Sequence, residues 1–103
     1  MNYIMKNTLM HHTFRSRRYR IIKINPRAKD RKGQCDEPKL KGKTIEIPIG
    51  DSLADLDVQI HEAIHASFWE LDEESVTIAG MNISKFLWRL GWRRMKDFKI
   101  NAQ

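Results

Sequence analysis

The sequence predicts an α+β domain. Three observations lead there: a β-branched run at Tyr19–Ile24, a strictly alternating run at Lys43–Ile49, and two consecutive amphipathic stretches of helical period with a short join. At 103 residues the chain holds one domain, spanning 1–103, with no room for a second independent core.

Residues 1–12 show no clear period and read as a loose N-terminal arm or a short helix. Within 14–24, Tyr19, Ile21, Ile22 and Ile24 favour a strand, entered from the basic segment Arg15–Arg20 and ended by Pro26. Residues 26–43 hold two prolines, two glycines and few apolar groups, which predicts a loop. In the next run Ile45, Ile47 and Ile49 share one face and Thr44, Glu46 and Pro48 the other. Because proline cannot donate to a ladder, Pro48 argues for an edge strand.

Gly50-Asp51-Ser52 supplies a turn and an N-cap, with Asp55 three residues past Ser52 as an imperfect capping box. Apolar residues at 53, 56, 60, 64 and 68 then mark a helix running to about Trp69. A second helix starts at Asp72, a good N-cap, with Leu71 able to staple to Val76. Its stripe comprises Val76, Ala79, Ile83, Phe86, Leu87 and Leu90. Gly91 suits a left-handed helix stop, with Trp92 able to pack on Leu87. The short join predicts an antiparallel pair of helices, and residues 93–103 form a basic C-terminal tail.

Composition narrows the function classes. The chain is 41% apolar and has no run near the ~18 residues that a membrane span needs, so no membrane partner is expected. The N-terminal residues lack the apolar core of a signal peptide, and the single cysteine, Cys35, fits a reducing, cytoplasmic setting. Net charge is +6, unevenly spread: +9 over 1–49, −7 over 50–85 and +4 over 86–103. An acidic middle between basic ends points to internal complementarity and solvated faces. Nucleic acid remains possible through the basic segments around 15–20 and 27–32 but is not favoured.

The acidic middle carries the chemistry. His61-Glu62-Ala63-Ile64-His65 is an HExxH sequence in the interior of the first helix. Four residues turn a helix by about 40° beyond one revolution, so both imidazoles leave one face and can grip one Zn²⁺. Glu62 lies about 100° round from His61, poorly placed as a ligand but placed to serve as general base toward a water. A helix can also carry two boundary histidines and a solvated glutamate without any metal. The capped start, the amphipathic period and the preceding strand favour the metal. No histidine follows His65, so a third-histidine pattern is excluded. Candidates for the third ligand are Glu73, which shares a face with Val76 and Gly80, then Glu74, with Asp72, Cys35 and water behind them. Helix N-terminal charge is the ordinary explanation for those acids. Trp69, Trp88 and Trp92 read as packing residues, and His11 and His12 as ligand-free.

Several blocks together carry a resemblance. Gly33-Gln34-Cys35-Asp36 with Pro38, Ile60 to Ala66, Leu71-Asp72-Glu73-Glu74 with Val76, and Phe86 to Trp92 resemble the zincin metallopeptidases of the glutamate-liganded (gluzincin) type. They are similar to small metallopeptidase-like proteins encoded by bacteriophages. The resemblance covers roughly 33–92. It implies a minimal zincin-like fold, with a small sheet packed on the helix pair. It also implies a glutamate ligand on the second helix, Glu73 or Glu74, although larger gluzincins place theirs further along the chain. The strand before the helix would align an extended peptide.

The resulting expectation is a zinc metallopeptidase that hydrolyses peptide bonds of a peptide or protein substrate with a metal-activated water, in the host cytoplasm if phage-encoded. His61, His65 and Glu73 bind zinc and Glu62 is catalytic. The alternative is a non-catalytic zincin-like regulator or a nucleic-acid-binding protein with a structural metal. Substrate and oligomeric state are not legible in the sequence.

Overall fold

The computed structural model describes residues 8–24, 32–96 and 98–100. It is an α+β domain whose elements run β1 (Thr8–Phe14), β2 (Arg17–Lys23), β3 (Gln34–Cys35), β4 (Thr44–Ile47), α1 (Leu53–Ser67) and α2 (Glu73–Leu90). The four strands form one sheet in the order β1-β2-β4-β3. Helix α1 lies on the sheet and α2 lies on α1.

The first strand corrects the expectation for the N-terminal arm. Residues 8–12 belong to β1, which pairs antiparallel with β2, while 1–7 lie outside the described residues. The turn between them is Arg15-Ser16, both with positive φ (48° and 66°). Two-residue hairpins need that handedness, but Asn-Gly or Asp-Gly usually supplies it. Arg-Ser carries no such mark in sequence. Phe14 closes the hairpin against the Tyr19 ring, 6.1 Å away.

β4 is an inner strand, not an edge. It runs parallel to β2, with Ile21 opposite Ile45, and antiparallel to β3, with Cys35 opposite Ile45. Pro48 falls one residue beyond β4, where its missing N–H costs the ladder nothing, and its carbonyl accepts from the Gln59 side chain. β1 is outermost on one side of the sheet; on this side the outer strand is β3, inside the segment expected to be all loop. Asp36 fastens that short strand. Its carboxylate accepts from the Thr44 backbone N–H (2.9 Å), the Thr44 hydroxyl (3.1 Å) and the Gln34 side-chain amide (2.6 Å). Burial opposes ionisation of Asp36, but these three donors hold its carboxyl below the usual range.

The core between sheet and α1 is Tyr19, Ile21, Ile45 and Ala66, with Leu9, Met10, Phe14, Cys35 and Ile47 around it. Both helix starts follow their caps: Ser52 accepts from Asp55 N–H, and Asp72 from Ser75 N–H. Gly91 stops α2 at φ 99°, with Trp92 N–H bonded to the Leu87 carbonyl and Gly91 N–H to that of Trp88.

The buried face of α2 differs from the expected stripe. Val76, Gly80 and Ser84 are buried, whereas Phe86 and Leu90 are 63% and 61% exposed and Ile83 is exposed too. Small residues decide this. A Cβ at Gly80 would lie 3.5 Å from His61 Cα, so α2 turns its smallest positions toward α1 and comes close to the histidine turn. Likewise α1 buries Asp55, Glu62 and Ala66, while Phe68, the last residue of its expected stripe, is exposed.

Candidate metal centre

His61 and His65 sit one turn apart on α1, their rings 4.8 Å apart and edge to face. Both are largely shielded from solvent. The connection between the helices is only residues 68–72, so the first residue of α2, Glu73, comes back over the histidine turn. Its carboxylate spans both rings: Oε1 lies 2.8 Å from His65 Nε2 and Oε2 lies 3.2 Å from His61 Nε2. One ligand atom from each of the three residues falls within 4.8 Å of the others.

That spread tests the set as a metal cage. Donors placed tetrahedrally around zinc at about 2.0–2.1 Å stand roughly 3.3 Å from one another. The two imidazole-to-carboxylate distances are near that size but run to different oxygens of Glu73, and one atom from each residue spreads to within 4.8 Å, so the donors would draw together around an ion. Two imidazole nitrogens and one carboxylate oxygen also suit zinc chemically, and three protein ligands leave a fourth position open. The set fits.

The third-ligand question divides along the same geometry. Glu73 belongs to the group, on the face of α2 that buries Val76 and Gly80. Glu74, Asp72 and Cys35 do not belong to it. Asp72 is engaged as the N-cap, and Glu73 and Glu74 are both exposed, so what separates them is the approach of the Glu73 carboxylate to both imidazoles. Cys35 joins the edge of the sheet core, where burial pushes its thiol up to about 12. A thiol in that state is a poor ligand. His12 is far from this chemistry in sequence and stacks edge-on with Phe14 at 4.7 Å.

Glu62 is 6% exposed, buried near His61 and Glu73 rather than solvated. Burial raises its carboxyl to about 7, with His61 opposing the rise and Glu73 adding to it. It lines a cleft of about 210 Å³ together with Lys32, Gly33, Asp57, Val58, His61 and Glu73.

Two features of this cleft escape a reading by motif. Gly33, just before β3, lies against Glu62 so closely that an added Cβ would sit 2.7 Å from Glu62 Cγ and Oε2. The glycine was visible in the sequence, but nothing local says that it meets Glu62 across the sheet edge. Asp57 also lines the cleft. Its position four residues before His61, on the same helical face, was the signal that could have found it.

Among the described residues, no helix is long and apolar enough to cross a membrane. Comparison with protein-family models, curated proteins and solved structures finds no match to this chain in any of the three.

Proposed function

We propose that this chain is a zinc-dependent metallopeptidase of zincin-like design, acting on a peptide or protein substrate. The observation that carries the reading is the convergence of His61, His65 and Glu73, of which His61 and Glu73 line the same cleft as the buried Glu62. His61 and His65 would hold the ion through Nε2, and Glu73 would hold it through its carboxylate. A bound zinc ion supplies Lewis acidity toward a water molecule and toward a peptide carbonyl.

The chain's own part is proton handling and placement. Glu62, with a carboxyl raised to about 7, can accept a proton near neutrality and hold it for delivery to the leaving amine. Gly33 presses on the same side chain and limits where its carboxylate can point. Among the described residues β3 is an outer strand of the sheet next to this cleft, and its edge can pair with an extended peptide, the role expected of the Lys43–Ile49 strand.

Glu62→Gln tests the reading. It preserves shape and cannot accept the proton, so zinc content should hold while peptide hydrolysis falls by ~10²–10⁴. Undiminished hydrolysis in that variant would remove Glu62 from the mechanism. Loss of zinc would make it a structural support of the site.

A further inference from the structure

Helix α2 is inverted relative to an ordinary surface helix. Its small residues face α1 together with Val76, while its large apolar residues face outward: Ile83, Phe86 and Leu90 are 43%, 63% and 61% exposed. With the half-buried Ala79 they recur at spacings of four, three and four residues, the repeat of a helix–helix seam. At about 100° per residue the four fall within about 60° of arc, centred about 90° round the helix from the face of Val76, Gly80 and Ser84. A continuous apolar stripe on an open surface marks contact with another molecule.

Charge selects the occupant. Asp72, Glu73 and Glu74 stand at the start of α2; from 75 to 92 the only charged side chains are Lys85 and Arg89, and Arg93, Arg94 and Lys96 follow. A helix acidic at one end and basic at the other is complementary to itself run antiparallel. An anionic lipid surface would repel the acidic end of a helix lying flat on it, and a phosphate backbone has no use for Ile83, Phe86 and Leu90. A twofold axis between positions 84 and 85 sets Ile83 of one chain on Phe86 of the other and Ala79 on Leu90, four layers that close on themselves. The same axis brings Arg93, Arg94 and Lys96 of one chain to the end where the other has Asp72 and Glu74.

We propose that α2 pairs antiparallel with α2 of a second copy of this chain, through Ala79, Ile83, Phe86 and Leu90, to give a twofold dimer. Four layers make a small interface, so the dimer is in equilibrium with monomer, with a dissociation constant of roughly micromolar order. The seam lies off the face of α2 that meets His61, so the pairing holds whether or not the chain is a peptidase.

Sedimentation equilibrium of the full chain over a range of concentrations tests the pairing. Wild type should pass from monomer to dimer as concentration rises, and go no further. Phe86→Glu and Leu90→Ser should each weaken the dimer roughly tenfold or more, the loss expected at the middle of an interface. Both should keep the wild-type circular dichroism, because these side chains are already exposed. Disulfide formation in a Cys35→Ser background reads the orientation. A mixture of Ala79→Cys chains and Leu90→Cys chains should form the mixed disulfide, and neither variant alone should cross-link. A wild type that stays monomeric to its solubility limit overturns the proposal, as does a dimer that survives both Phe86→Glu and Leu90→Ser. Cross-linking of each cysteine variant with itself, or binding of a monomeric protein to phosphatidylserine vesicles, overturns it too.

Discussion

Gly33 and Glu62 are in contact across the edge of the sheet, with room for a hydrogen and none for a methyl: a Cβ on Gly33 would lie 2.7 Å from the Glu62 Cγ and Oε2. The backbone that leads into β3 thus forms one wall of the carboxylate's pocket, and the cleft that holds Glu62 depends on a residue that bears no chemistry.

Gly33→Ala should therefore push Glu62 out of place. The expected result is a stability loss of about 1–3 kcal/mol by denaturant titration, the usual cost of overpacking, with hydrolysis reduced and zinc retained. Shortening Glu62 relieves one side of the clash, with Val58 Cγ1 equally near at 2.7 Å, so Gly33→Ala/Glu62→Asp should recover only part of the lost stability. A fully stable Gly33→Ala variant would show that the approach is looser than described.

The raised carboxyl of Glu62 gives the metal-free protein a pH signature. Unfolded, a glutamate titrates near ~4.3; folded, burial lifts Glu62 to about 7. Between those values the folded state binds more protons, so this group's contribution to stability falls as pH rises through the window and stays low above it. Water reaching the open cleft screens the effect to roughly 1–2 kcal/mol. In chelator-treated protein, Glu62→Gln should accordingly be the more stable form at pH 8, and its advantage should vanish near pH 4. Parallel melting curves across that range would contradict the assignment.

Gly80 couples the helix packing to the His61–His65–Glu73 group. A Cβ there would stand 3.5 Å from His61 Cα and 3.3 Å from Asp57 Oδ1. Gly80→Leu should lever α2 off α1, carrying Glu73 away from both imidazoles. Zinc affinity should drop by at least the ~10–100-fold that supporting residues of metal sites are worth, although residue 80 is no ligand. Unchanged affinity in a folded Gly80→Leu protein would mean that Glu73 is placed by the connecting loop alone.

What the sequence revealed and what it hid separate by range. Both helices were legible because their signals are local: Ser52 and Asp72 at the starts, Gly91 at the stop, and the four-residue spacing of His61 and His65 between. The convergence on Glu73 followed from the same phase argument, since its face is that of Val76 and Gly80. Hidden were the features that only tertiary pairing creates. β3 is two residues long and exists because Asp36 and β4 hold it. The β1–β2 hairpin turns on Arg15-Ser16, which bears no turn signature. The large apolar residues of α2 misled for a related reason. Helix contact was won by Gly80 and Ser84, which allow close approach, leaving Phe86 and Leu90 outside.

The central claim is that His61, His65 and Glu73 hold one zinc ion. Elemental analysis of the purified protein tests it most directly, with Glu73→Ala and Glu74→Ala measured beside wild type. About one zinc per chain is expected in wild type and in Glu74→Ala, a surface change worth within about 0.5 kcal/mol, and markedly less in Glu73→Ala. Wild-type protein without zinc after reconstitution, or zinc lost from Glu74→Ala and kept by Glu73→Ala, would contradict it.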